Sequence, residues 1–67
     1  MTTPTRQAAC LEAIRAHWRQ YGQAPTRTEL GRALGITKVS AHLLVGKLAA
    51  AGAVVIIPGG WRNVHLP

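Results

Sequence analysis

Thr26-Arg27-Thr28-Glu29-Leu30-Gly31-Arg32-Ala33-Leu34-Gly35-Ile36-Thr37-Lys38-Val39-Ser40 contains two helix starts separated by a glycine stop, and its reading decides the fold. Thr26 and Glu29 have the spacing of a capping box. The threonine hydroxyl accepts from the N–H of residue 29, and the carboxylate reaches back to the N–H of residue 26. Leu30, Ala33 and Leu34 supply an apolar stripe and Gly35 a left-handed stop, so the spacing predicts a short helix over 27–34. Ile36 plugs the turn. Thr37 then offers a second N-cap, after which Ala41, Leu44, Val45, Leu48 and Ala51 recur at helical spacing up to Gly52, predicting another helix. Gly46 is a weak spot within it, about 1 kcal/mol less favourable than alanine unless close packing or backbone approach requires it.

Working back toward the N-terminus, Thr3 reads as an N-cap and Pro4 as the first helical residue, where a missing N–H does no harm. Leu11, Ile14, Trp18 and Tyr21 fall on one face of that first helix, and Gly22 ends it. Beyond Gly52 the period changes. Ala53-Val54-Val55-Ile56-Ile57 is short and β-branched, Pro58-Gly59-Gly60 is a turn, and the stretch from Arg62 to Leu66 alternates through Val64 and Leu66, which predicts a β-hairpin. A lone hairpin does not persist in water without a helical layer beneath it. The fold class expected is therefore α+β: a winged helix-turn-helix, three helices followed by a two-stranded wing, forming a single domain over residues 1–67.

A chain of 67 residues buries one core. Phe is absent, so that core draws on Leu, Ile, Val and Ala, with Trp18, Trp61 and Tyr21 as the large rings. Lys and Arg number 8 against 2 acids, Glu12 and Glu29, giving a net charge of +6. Such a charge attracts polyanions at long range: nucleic acid first, an anionic membrane surface second. Every helix is needed for the core, which leaves no amphipathic face for a membrane. The longest apolar stretch, residues 48–57, falls well short of the roughly 18–20 residues a spanning helix needs. Cys10 has no partner for an internal disulfide and no signal sequence is in view, so the expected setting is intracellular, in a bacterial cytoplasm at the nucleoid.

Chemistry of the catalytic or metal-binding kind finds no footing. His17, His42 and His65 are dispersed, Cys10 has no ligand at metal spacing, and no cofactor is expected. Ser40 and His42 stand two apart on a helix, so their side chains diverge, and no Asp exists to orient an imidazole. Glu12 reads as a solvated or ion-paired acid and Glu29 as a cap.

With the apolar stripe of the third helix turned inward, Lys38, Val39, Ser40, His42 and Leu43 point outward near its start. The major groove of B-DNA admits one helix, and the first turns of that helix meet base edges. Thr37 and Ser40 can donate to phosphates or bases, Lys38 and His42 to guanine or phosphate, and Val39 or Leu43 can meet a thymine methyl. Arg27, Thr28, Lys47 and Arg62 are placed to track a backbone, and Gly59, Gly60 and Trp61 form the tip of the wing, where glycine lets the chain approach a groove closely. Two alternatives stay open for Leu43: widening of the core stripe, or an apolar patch with Val39 and Trp61 through which a second copy or another protein docks. Trp61 either folds back over the wing or stands out as a contact. Trp18 is expected in the core, and Arg15, Arg19 and Arg32 as solvated charges.

Arg6-Gln7, Ile14-Arg15-x-His17, Tyr21-Gly22, Ala24-Pro25-Thr26-Arg27-Thr28-Glu29-Leu30, Leu34-Gly35 and Leu48-Ala49-x-x-Gly52 together resemble the N-terminal DNA-binding domain of the bacterial SOS repressor LexA. The resemblance runs from about residue 4 to residue 66. It implies a winged helix-turn-helix that binds operator DNA as a transcriptional repressor, with the third helix in the major groove and the wing on the flanking backbone. The family's base-reading segment falls on Thr37, Val39, Ser40, His42 and Leu43. The family's Ser-Pro-Asn stretch and paired acids are replaced by Thr37-Lys38-Val39 and His42-Leu43, so its operator is not carried over. Its second domain, with the Ser-Lys self-cleavage site and main dimer contacts, is not among these residues, and no protease activity is carried over. A piece of a longer repressor and a stand-alone regulator of phage or plasmid type both fit, as do a monomer and a homodimer on a palindromic site. The competing class is an adaptor that keeps the fold and binds another regulator or RNA polymerase.

Overall fold

In a computed structural model, residues 5–60 and 62–67 are described, and they form three helices and a two-stranded sheet. Helix α1 spans Arg6–Tyr21, α2 Arg27–Leu34 and α3 Lys38–Ala50; strand β1 is Val55–Ile56 and β2 Val64–His65. The expected winged helix-turn-helix is the observed architecture.

Each helix starts on a threonine. Thr5, Thr26 and Thr37 hold extended backbone and accept from the N–H of Ala8, Glu29 and Ser40, each satisfying an otherwise orphan donor. The cap of α1 is thus Thr5; the expected cap, Thr3, and Pro4 lie outside the described residues. The capping box of α2 is complete: Thr26 Oγ1 accepts from Glu29 N at 3.0 Å, and Thr26 N donates to Glu29 Oε1 at 2.9 Å.

The stops follow the glycines. Gly35 is left-handed, with Gly35 N–H donating to Arg32 O and Ile36 N–H to Gly31 O, a Schellman end for α2. The same pair of bonds closes α3 through left-handed Gly52, with Ala53 N–H donating to Leu48 O at 2.9 Å. That bond explains why the first strand is shorter than the expected 53–57: Ala53 belongs to the helix end. Val55 pairs with His65 and Ile56 with Val64, antiparallel, and Ile57 N–H donates to Asn63 O just beyond.

Cys10 and Ile14 of α1, Leu30 of α2, Ala41, Leu44, Val45 and Leu48 of α3, and Val54 and Val64 around the wing make the core. Trp18 packs against it and donates its indole N–H to Val64 O at 3.2 Å, tying α1 to β2. Tyr21 departs from expectation: it is 59% exposed. It is the last residue of α1 before the left-handed Gly22, and its ring lies 4.6 Å from that of His17 at the open groove between α1 and α2. Ala33 and Ala51, expected on apolar stripes, are likewise exposed, while Ala24 and Pro25 in the connection are buried.

Helices α2 and α3 meet at 102°, within the range of helix-turn-helix units. Gly31 sets this junction. A Cβ there would lie 2.8 Å from the Ile36 carbonyl oxygen and 3.3 Å from the Thr37 carbonyl atoms, so the turn rests on the bare backbone of α2.

Candidate nucleic-acid interface

Helix α3 divides most of its residues between two faces, with Ser40, expected to point outward, and Ala49 only half-buried between them. Ala41, Leu44, Val45 and Leu48 are buried, and Val39, His42, Leu43, Gly46, Lys47 and Ala50 are exposed. The exposed set recurs at three and four, so it forms one continuous stripe along the side away from the core. Val39 is 68% exposed and Leu43 60%. The choice left open for Leu43 is thereby decided: it is not part of the core. Among the described residues Gly46 meets no atom within 4 Å at its Cβ position, and it has ordinary helical φ, so none of these neighbours demands glycine there.

At the head of the stripe the hydroxyls are already engaged. Thr37 Oγ1 accepts from Ser40 N at 3.1 Å and donates to Ser40 Oγ at 3.0 Å. Its oxygen serves the helix cap and its proton goes to Ser40 Oγ, whereas Ser40 keeps its own hydroxyl proton. Lys38 and His42 are exposed, and among the described residues no hydrogen bond or ion pair holds either side chain.

The wing is stapled to α2 by two arginines. Arg62 forks onto Glu29, with Nη1 donating to Oε1 at 2.6 Å and Nη2 to Oε2 at 3.3 Å, and Nη1 also reaches Ala24 O at 2.9 Å. Arg27 Nη1 donates to Asn63 Oδ1 at 2.8 Å, and its Nε is buried without a partner among the described residues. Burial pulls the Arg27 guanidinium below its ordinary value. Both side chains, expected to face a nucleic-acid backbone, thus lie in intramolecular contacts; Thr28 and Lys47, expected in the same role, are exposed. The Glu29 carboxyl falls to about 2, first because it accepts from the Thr26 N–H and then because Arg62 donates to it. His17 joins from α1, donating from Nδ1 to Gln23 O at 2.9 Å with Nε2 3.7 Å from Glu29 Oε2.

The wing tip turns through Gly59 and Gly60, whose φ values of 95° and 77° favour glycine. Trp61 lies outside the described residues, so neither expectation for it is addressed. Val55, Ile56 and Ile57 of the wing are exposed.

Sequence reasoning missed the anchoring roles of Glu29, Asn63 and His17 and the junction role of Gly31. One sequence signal was available: Glu29 is one of only 2 acids in a chain carrying 8 basic residues, which makes a long-range partner for it easy to find. Among the described residues, no three of His, Cys, Asp and Glu come together as a metal ion requires. No single described helix is long and apolar enough to cross a membrane.

A sequence model of the LexA DNA binding domain matches residues 2–63. The LexA repressor of Saccharophagus degradans is similar, at 38% identity over 66 residues, covering 94% of this chain and 32% of that protein. That of Hahella chejuensis is 38% identical over 65 residues, 92% of this chain and 32% of the relative. For that of Shewanella piezotolerans the figures are 41% over 64 residues, 91% and 30%. The chain spans about a third of the length of these curated relatives.

Proposed function

Because the chain belongs to the LexA DNA-binding domain family, we propose that it binds double-stranded DNA in a sequence-dependent manner in the bacterial cytoplasm and acts as a transcriptional repressor, α3 lying in the major groove and the wing on the flanking backbone. The observation that carries this reading is the exposed stripe of α3, which makes no core contact and stands on a chain of charge +6. A helix held by its opposite face can enter a groove without unfolding anything.

In this reading Lys38, Val39, Ser40, His42 and Leu43 meet base edges, with Thr37 holding the first turn in shape. Lys47 and Thr28 meet phosphates. Arg27 and Arg62 fix the wing, and a phosphate contact by either requires release from Asn63 or Glu29. Gly59, Gly60 and Trp61 approach the backbone beyond. A pair of chains on a palindromic site would present two such helices in register with two half-sites about one helical turn apart.

Selection from random-sequence duplexes, followed by affinity measurements at two salt concentrations, tests this. Ser40→Ala and His42→Ala are expected to blunt preference among sequences, and Lys47→Ala to weaken all duplexes alike and reduce the salt slope by about 0.9. Equal losses on every duplex from all three variants reject the division of roles.

A second reading, a protein-binding adaptor, is favoured by the exposed Val39 and Leu43 and by Val55, Ile56 and Ile57 on the wing. It predicts weak, salt-labile, sequence-indifferent DNA binding in the same selection.

A further inference from the structure

We infer that the outward face of α3 selects keto base edges, Val39 and Leu43 resting on thymine 5-methyl groups while Lys38 and His42 donate to the acceptors of guanine or thymine. This rests on α3 entering the major groove, as proposed above, and adds which edges that groove must present.

The first ground is what the face lacks. From Thr37 to Ala50 there is no Asp, Glu, Asn or Gln. In the major groove cytosine shows an amino donor at N4 and adenine one at N6, and the side chains that take such donors bidentately or as anions are amides and carboxylates. The acceptors that remain are the Thr37 oxygen, which accepts from Ser40 N at 3.1 Å, the Ser40 oxygen, which accepts from Thr37 Oγ1 at 3.0 Å, and one ring nitrogen of His42 when neutral. Guanine offers two acceptors and no donor there, and thymine one acceptor beside its methyl. The face carries donors to match: the Lys38 ammonium, a His42 ring N–H and the free hydroxyl proton of Ser40.

The second ground is what the face exposes. Val39 and Leu43, at 68% and 60% exposure, stand one turn apart on the same stripe. Residues so spaced hold their Cβ atoms about 5–6 Å apart, between one and two steps of about 3.4 Å along a DNA strand. Neither side chain can form a hydrogen bond, so the group each can recognise in the groove is a methyl. The occupant is a duplex and not a protein surface because the apolar pair is flanked by Lys38 and Lys47 on a chain of charge +6, which an anionic partner neutralises.

The test uses the 67-residue chain and a duplex it selects from a random pool. Each thymine of the selected site is replaced singly by deoxyuridine, which removes only the methyl, and affinities are measured for the parent chain, Val39→Ala and Leu43→Ala. Both positions are exposed, and circular dichroism melts verify that the variants fold. The expectation is two thymines within about two steps of each other, each weakening binding about fourfold on loss of its methyl, with the sensitivity of one abolished by Val39→Ala and of the other by Leu43→Ala. A selected duplex on which no deoxyuridine changes affinity as much as about twofold, or on which both alanine variants keep the full sensitivity, overturns the inference and leaves sequence-dependent DNA binding intact. Failure to enrich any duplex removes both.

Discussion

Alanine in place of glycine at two helical positions should change stability in opposite directions. At Gly46 the new methyl meets nothing within 4 Å and the backbone is already helical, so the substitution gains only helix propensity, about 1 kcal/mol. At Gly31 the same gain is opposed by a Cβ 2.8 Å from the Ile36 carbonyl oxygen and 3.3 Å from two backbone atoms of Thr37. Backbone cannot swing away as a side chain can, so the overpacking penalty lies toward the upper end of about 1–3 kcal/mol. The net loss is about 1–2 kcal/mol. In a domain of this size about 1 kcal/mol moves the melting temperature by roughly 4–8 °C. Thermal unfolding followed by circular dichroism should therefore show Gly46→Ala melting roughly 4–8 °C above the parent and Gly31→Ala roughly 4–16 °C below it. A Gly31→Ala protein that melts at or above the parent would refute the claim that the turn rests on the bare backbone of α2.

Three further outcomes follow from the same geometry. Glu29 is held near 2 in the folded chain against 4.5 unperturbed, so its ionised form stabilises the native state fully above about 4.5 and progressively less as pH falls toward 2; Glu29→Gln should flatten the loss of melting temperature between neutral and acid pH, and an unchanged slope would contradict the assignment. Cys10 is fully buried and desolvation raises its thiol above the ordinary value, so a thiol reagent near neutral pH should label it only as fast as the chain opens, with urea accelerating the reaction; labelling at the rate of a free peptide thiol would count against its burial. Trp18→Phe removes the indole N–H from Val64 O and should lower unfolding stability by about 1–3 kcal/mol, read from urea titration, with an unchanged midpoint as the contrary result.

The helices were legible because their boundaries are chemically local. Thr26, Glu29, Gly35, Thr37 and Gly52 act within one turn of themselves, and the α2 boundaries expected from them, 27–34, are those observed. The outward face of α3 was legible for a related reason, since the inward stripe fixes it by subtraction. What escaped was non-local. Arg62 reads as a free wing cation until α2 brings Glu29 within 2.6 Å, and Arg27 reads the same way until Asn63 arrives across the hairpin. Gly31 looked like an ordinary helical residue because its reason lies in the turn that folds back over it. Tyr21 matched the α1 stripe, yet it stands at the end of α1 just before a left-handed glycine and stays largely exposed at the mouth of the groove between α1 and α2.

The partition of α3 into a packed side and an open side has an evolutionary corollary. Letters at 39, 42, 43, 46, 47 and 50 can be rewritten without disturbing the interior, so under the proposed reading of DNA by α3 new preferences would arise in single steps that leave folding untouched. On that proposal the scaffold can take up new targets without refolding, whereas substitutions at 41, 44, 45 and 48 strike the packed interior whatever the open side meets.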